Sequence, residues 1–124
     1  MRTIGLVAGV MTLLFAGAVL ADSAALRGSW KGPWYIGMSS GIAEMDIAAD
    51  GSGSVTLTNL DEFGAKPVAL TKHSFDGKVF SFTAVGANGA ALSMNLKLGQ
   101  DGRQLRGNGK HAGFGARMEL QRTD

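Results

Sequence analysis

The sequence predicts an all-β protein, in which eight antiparallel strands follow one another as an up-and-down meander and close into a small barrel. Apolar and polar residues alternate with a period of two along most of the chain after residue 21, which is typical of strands with one buried and one solvated face. Asp-Gly and Asn-Gly pairs separate many of these runs, and such pairs tolerate the positive φ of two-residue hairpin turns. Closure would remove the exposed sheet edges. An open half-barrel or a sandwich is the alternative.

The first 21 residues have the layout of a secretory signal peptide. A basic start, Met1-Arg2, precedes an almost purely apolar run from Ile4 to Leu20, and Val19 and Ala21 occupy positions −3 and −1 of a cleavage point. We therefore expect a mature domain spanning residues 22–124 in an extracytoplasmic compartment, either the periplasm or the exterior. The run is short for a spanning helix and no cysteine follows it for a lipid, so we expect no stable membrane insertion.

The composition sets limits on the chemistry of the mature chain. A length of roughly 100 residues suits one compact domain. Because the chain has no cysteine, it needs an apolar core in place of disulfides, and it has no thiol chemistry. The formal net charge of the whole chain is only +2 and aromatic residues are few, so nucleic acid is a disfavoured partner.

Eight strands are predicted, over residues 28–38, 41–48, 54–60, 67–74, 78–85, 91–98, 103–108 and 114–122. In the first strand the even positions form the inner face: Gly28, Trp30, Gly32, Trp34, Ile36 and Met38. Pro33 has no N–H to donate to a neighbouring strand, so a bulge or bend is expected there. The glycine-dense segment 107–115 has little alternation and is predicted to be an irregular hairpin end.

In most of the other strands, apolar residues occupy every second position. They are Ala43, Met45 and Ile47 in the second strand; Val55 and Leu57 in the third; Val68 and Leu70 in the fourth; Phe80, Phe82 and Ala84 in the fifth; Leu92, Met94, Leu96 and Leu98 in the sixth; and Ala116, Met118 and Leu120 in the eighth. These residues are expected to point inwards and form the core.

Several short motifs together resemble the lipocalin-like (calycin) barrels, and more closely the lipocalin-like domains that bacteria secrete. They are Gly28-Ser29-Trp30-Lys31-Gly32, Lys66-Pro67-Val68, the stretch from Asp76 to Phe82, the stretch from Asp101 to Gly107, and Leu120-Gln121-Arg122. The resemblance implies that Trp30 closes one end of the barrel and that Arg122 packs across its ring as a cation–π pair. It gives Gly28, Trp30 and Arg122 structural roles, and it supports a fold but identifies no ligand.

Motifs that could carry catalysis have simpler explanations. Gly37-Met38-Ser39-Ser40-Gly41 matches the Gly-x-Ser-x-Gly of serine hydrolases, but it lies between two predicted strands, whereas a nucleophile elbow connects a strand to a helix. We interpret it as a hairpin turn. We therefore expect no enzymatic activity.

Candidate metal ligands and paired carboxylates are equally unspecific. The two histidines, His73 and His111, are expected at the surface or in loops and lack metal-ligand spacing. Glu44 and Asp46 share one face of a strand, and we interpret that face as solvated. No cofactor or metal is expected.

Four cations share the outward parity on three neighbouring strands: Lys97, Arg106, Lys110 and Arg117. An ordinary solvated face is one interpretation. The other is contact with an anionic surface such as lipid headgroups or acidic glycans.

Two non-catalytic functions remain open. The first is binding of a small apolar or amphipathic ligand at the barrel mouth by Trp34, Tyr35, Met45, Phe80, Phe82 and Met94. The second is a protein-interaction or accessory module, for instance for an exported hydrolase or an envelope component, with a filled interior. An eight-stranded barrel is just wide enough either to be filled by side chains or to hold one small ligand, so the state of the interior separates the two functions.

Overall fold

A computed structural model describes residues 23–124 of the chain, and these residues form one antiparallel sheet of nine strands. The predicted signal peptide and its cleavage point lie outside the described residues. The strands are β1 (Gly28–Ile36), β2 (Ser39–Ile47), β3 (Gly53–Leu57), β4 (Val68–Ala69), β5 (Thr71–Phe75), β6 (Val79–Val85), β7 (Ala91–Leu98), β8 (Gln104–His111) and β9 (Phe114–Arg122). Two short 3₁₀ turns, Ser23–Leu26 and Asp61–Phe63, accompany the sheet.

The sheet rolls into a nearly closed barrel. Its strand order is β4-β3-β2-β1-β9-β8-β7-β6-β5. The two outermost strands, β4 and β5, are consecutive in the chain and only Leu70 separates them. A single bent segment therefore pairs with β3 at one edge and with β6 at the other, which joins the edges. This arrangement confirms the predicted all-β meander.

The number of strands differs from the prediction because the fourth predicted strand is divided. Its pairing with β6 shifts register between Thr71 and Ser74, and Lys72 lies in the left-handed region with a φ of 50°. A bulge of this kind bends a strand and increases its twist. Residues 68–69 pair with β3 and residues 71–75 pair with β6, so the chain changes partner at Leu70, and nine strands are present where eight were predicted.

At two hairpin turns, the structure differs from the strand boundaries predicted from the sequence. β1 ends at Ile36, because Gly37 has a φ of 57° and turns the chain, and Met38 is fully exposed at the turn. The prediction that Met38 belongs to the inner face is therefore wrong.

The segment 107–115 is a regular hairpin: β8 and β9 pair closely up to a two-residue turn at Ala112-Gly113, and both turn residues have a positive φ. The irregular end predicted there is absent.

The interior of the barrel is filled with side chains. The largest ones with less than 2% exposure come from nearly every strand and from the first 3₁₀ turn: Trp30, Trp34, Phe80, Phe82, Leu26, Met45, Leu57, Leu92, Met94, Leu96, Leu105 and Met118. Their parity is the one that the alternation predicts for the strands. Crystal-like packing of such residues is the main source of stability for a chain without disulfides.

Glycines allow neighbouring strands to approach where the wall bends. A Cβ atom added at Gly32 would lie 1.9 Å from the backbone oxygen of Glu119 on β9, and the β1–β9 pairing is interrupted at this point, beside Pro33. A Cβ at Gly107 would lie 2.0 Å from the backbone oxygen of Asn95 on β7. Glycine kinks of this type introduce curvature into barrel walls.

We expect Gly32→Ala to destabilise the fold by about 2 kcal/mol or more, because the new methyl group meets backbone atoms that cannot rotate away. Gly115→Ala is the matched control, since a Cβ there meets nothing within 4 Å. The control should change the free energy of unfolding by less than about 0.5 kcal/mol. Urea unfolding monitored by tryptophan fluorescence measures both values, and equal values for the two variants would contradict the proposed role of Gly32.

Candidate functional site

One end of the barrel, which we call the tryptophan end, is closed by the first 3₁₀ turn. Leu26 of this turn is fully buried, and its backbone oxygen accepts a 2.9 Å hydrogen bond from Nε1 of Trp30. The guanidinium of Arg122 lies over the Trp30 ring, with 4.3 Å between Cζ and the ring centroid. This is the cation–π contact that the resemblance implies for the two residues.

Arg122 also links segments that are distant in sequence. Its Nη2 donates to the backbone oxygen of Ala25 at 2.8 Å, and its Nη1 donates to that of Arg27. Its Nε and Nη2 both donate to the oxygen of Gly102, in the turn between β7 and β8. The planar guanidinium is suited to such a site because its donors are fixed in a fork. Gly28 lies beside this group, with a φ of +136°, and a Cβ there would lie 2.8 Å from Nη1 of Arg122.

The opposite end, which we call the histidine end, is covered by the second 3₁₀ turn. Phe63 of this turn is buried and meets the His111 ring edge to face, with 6.0 Å between ring centroids. The backbone oxygen of Glu62 accepts a 2.7 Å hydrogen bond from the N–H of Ala87. The turn is therefore held against the barrel by backbone and side-chain contacts together.

His111 is 2% exposed, so the prediction of a surface or loop histidine is wrong for this residue. Its Nδ1 donates to the backbone oxygen of Ala91 at 3.2 Å, and its Nε2 lies 2.9 Å from Oε2 of Glu62. The hydrogen bond from His111 lowers the pKa of Glu62 below its ordinary value, and a backbone hydrogen bond at Glu62 adds to this. Sequence reasoning missed this pair because its members are 49 residues apart.

The residues predicted to bind a ligand lie mostly in the packed interior. Met45 and Phe80 are fully buried, as is Trp34, whose Nε1 donates to the backbone oxygen of Thr58 at 3.0 Å. The structure buries two further members of the predicted set equally deeply, Phe82 and Met94. Tyr35 alone of the set is on the outside, where the guanidinium of Arg117 lies 4.7 Å from its ring centroid.

Two depressions in the described part of the chain lie on the outer wall of the barrel. We call the larger one the basic groove; it has a volume of about 820 Å³, and its charged lining residues are Lys78, Lys97, Arg106, Arg117 and Glu119. Polar amides of Gln100, Gln104 and Asn108 also line it.

The smaller depression, of about 400 Å³, is shallow. Its lining residues are Tyr35, Gly37, Asn108, Gly109, Gly115, Ala116 and Arg117. It includes the one exposed member of the predicted ligand set, and we call it the tyrosine pocket.

The other chemical motifs are dispersed. Gly37 and Met38 form the β1–β2 turn, and Ser39 is exposed at the start of β2. Glu44 is exposed and pairs with Lys31 at 3.7 Å, while Asp46 accepts a hydrogen bond from the Ser29 hydroxyl. Among residues 23–124, no three His, Asp or Glu side chains are grouped so that they could hold a metal ion. Within the same range, no helix has the length and hydropathy needed to cross a bilayer.

We expect Arg122→Gln to lower the free energy of unfolding by about 3 kcal/mol, because it removes charge-assisted hydrogen bonds and a cation–π contact together. Arg117→Gln is the matched control: it removes an arginine that also lies over an aromatic ring but is 55% exposed. The control should cost no more than about 0.5 kcal/mol. Thermal and urea unfolding measure both costs, and a similar small loss in the two variants would show that Arg122 does not hold the tryptophan end.

We expect acid to weaken the histidine end through Glu62. Its pKa in the folded protein is lower than its ordinary value of 4.5, so its stabilising contribution is complete above that value. The contribution disappears as the pH falls through the lower, folded-state pKa. Glu62→Gln should therefore be less stable than the wild type at neutral pH, and the difference should shrink on acidification.

Urea unfolding at a series of pH values between about 3 and 6 tests this expectation, with the exposed Glu44→Gln as control. A stability difference for Glu62→Gln that does not change with pH would contradict it.

Comparison with known proteins supports the fold. No protein-family model and no curated protein matches the sequence. A solved structure described as a redesigned beta barrel is similar to this chain, with a TM-score of 0.60 and 15% sequence identity. The match covers 86% of this chain and 100% of the other one. At this identity the likeness shows the fold alone, so the chain is an all-β protein whose nine antiparallel strands form a nearly closed barrel.

Proposed function

We propose that the mature chain is an exported, non-catalytic binding module that acts through its outer surface, as an accessory or interaction domain for an exported hydrolase or another envelope component. The observation that carries this proposal is the filled interior. Side chains as large as Trp34, Phe80 and Phe82 are buried inside the barrel, while the two described depressions lie on its outer wall. A carrier of apolar ligands needs free internal volume, and an accessory module does not.

A lipocalin-like relationship is part of the same proposal. The contact between Arg122 and Trp30 supports it, because the resemblance implies this pair at the closed end of the barrel. The position of Gly28 beside the Arg122 guanidinium is also compatible with it.

We propose that the protein is not an enzyme because of the surroundings of the candidate catalytic residues. Ser39 is exposed on β2 next to the β1–β2 turn, and the ring nitrogens of His111 are already hydrogen-bonded to Ala91 and Glu62. A nucleophile and its base must be within hydrogen-bonding distance of each other or linked through one water. Export is proposed from the first 21 residues of the sequence alone.

The tyrosine pocket favours a second candidate function, the binding of a small amphipathic ligand. Tyr35 offers an exposed ring and Arg117 offers a cation beside it, so an apolar group and an anionic group of one ligand could both be contacted. The pocket is shallow, and this function would involve the barrel surface near its histidine end. The buried residues Trp34, Met45, Phe80, Phe82 and Met94 would then serve as core.

We expect the folded wild-type protein to bind no small apolar probe in its interior. Benzene, followed by calorimetry, is a suitable probe because it has the size of the phenyl ring of a buried side chain such as Phe82. Phe82→Ala is the positive control: removal of a buried ring leaves an apolar cavity, and such cavities bind small aromatic molecules. Circular dichroism verifies that the variant remains folded.

The outcomes separate the candidate functions. Benzene binding to Phe82→Ala and not to the wild type supports a filled, surface-acting module. Stoichiometric binding to the wild type that Tyr35→Ala abolishes would favour the second candidate. Stoichiometric binding that persists in Tyr35→Ala would place a cavity in the interior and contradict the proposal.

A further inference from the structure

Three adjacent strands present cations on the outer wall, and two of these cations, on β7 and β8, lie directly opposite each other. The sheet register pairs Lys97 of β7 with Arg106 of β8, and pairs Arg106 with Glu119 of β9. In the next outward row, Asn108 lies opposite Arg117. Lys78, which precedes β6, lines the same basic groove. Like charges opposite each other on neighbouring strands are destabilising, so the Lys97–Arg106 pair has a cost that the fold itself does not require.

The acidic residues near the basic groove already have partners. Glu119 pairs with Arg117, with 3.4 Å between Oε2 and Nε. Asp76 accepts hydrogen bonds from the backbone N–H groups of Lys78 and Val79, both at 2.8 Å, and these bonds lower its pKa. Within residues 23–124, Lys78, Lys97 and Arg106 form no ion pair with a side chain of the chain itself. Four cations and one carboxylate line the groove, so its lining has an excess of positive charge.

We propose that the basic groove binds an acidic polysaccharide, a chain of sugars that bears carboxylate or sulfate groups. This inference rests on the proposed surface-acting function and names the chemical class of its partner. The cations at Lys97 and Arg106 would pair with the acidic groups. The amides of Gln104 and Asn108 lie in the same groove and can exchange hydrogen bonds with sugar hydroxyls. An elongated ligand suits a groove that crosses several strands and is open to solvent.

The distribution of apolar residues argues against a lipid bilayer as the partner. A bilayer-docking surface combines cations with apolar side chains that enter the membrane. The fully exposed Met38 and the 59% exposed Phe114 lie at the hairpin turns of the histidine end. They do not line the basic groove, which includes Gly77 and Gly102 in turns at the other end of the barrel.

The inference is tested with polygalacturonate as the anionic probe and uncharged dextran of similar length as its control. The double variant Lys97→Gln/Arg106→Gln removes two charges from the groove. Lys31→Gln/Lys66→Gln removes two charges elsewhere and is the matched control, because neither residue lines the groove. Affinity is measured by calorimetry at two salt concentrations, and backbone amide shifts in NMR spectra locate the contact.

We expect polygalacturonate to bind and dextran not to bind, with an affinity that falls as salt is added. The groove variant should bind about threefold to tenfold more weakly, and the control variant should change the affinity by less than about twofold. Shifts are expected on β7, β8 and β9.

An absence of binding, an equal loss in both double variants, or binding to phosphatidylglycerol vesicles in preference to polygalacturonate would each overturn the inference. Failure here is distinct from failure of the proposed function, because the benzene measurement reports on the interior and this one reports on the outer wall.

Discussion

The rest of the structure depends on the contact between Arg122 and the tryptophan end. One guanidinium covers the Trp30 ring and donates to backbone oxygens on the first 3₁₀ turn and on the turn between β7 and β8. It thereby joins the segment that precedes β1, the last strand and a distant turn. Trp30 in turn donates to Leu26, which seals the interior. Without Arg122, the carbonyl groups of this end would lose donors and water would reach the core.

A closed and filled barrel has a consequence for function. Its inward positions are occupied by apolar side chains, so chemistry is left to the outward positions and to the two ends. The ends are themselves covered, by Leu26 at one end and by Phe63 at the other. On the outer wall of β7 and β8, Lys97 and Arg106 lie opposite each other, and within residues 23–124 neither forms an ion pair. Under the proposed function, stability and recognition depend on opposite faces of the same strands.

The parts of the fold that follow from local pattern could be predicted from the sequence. Alternation placed Phe80 and Phe82 inside and Lys97 outside, because strand side chains point to opposite faces in turn. Glycine has no side chain and contributes nothing to this alternation. The inward positions of Gly107 and Gly109 on a regular strand therefore could not be inferred from the sequence.

The candidate site was less predictable. The covering turns at 23–26 and 61–63 are too short to show a period, and the pairing of Glu62 with His111 depends on the closed barrel. A hydropathy pattern also cannot distinguish a filled interior from a cavity, because both are lined by the same apolar residues.

The most direct test of the central claim, that Arg122 holds the tryptophan end closed, is hydrogen exchange at the two tryptophan indole N–H groups, followed by NMR. In the wild type, Trp30 and Trp34 should both exchange only through global unfolding, since both indoles are buried and hydrogen-bonded. In Arg122→Gln, the Trp30 indole should exchange much faster than the Trp34 indole, whose partner is Thr58. Equal protection of the two indoles in that variant would contradict the account.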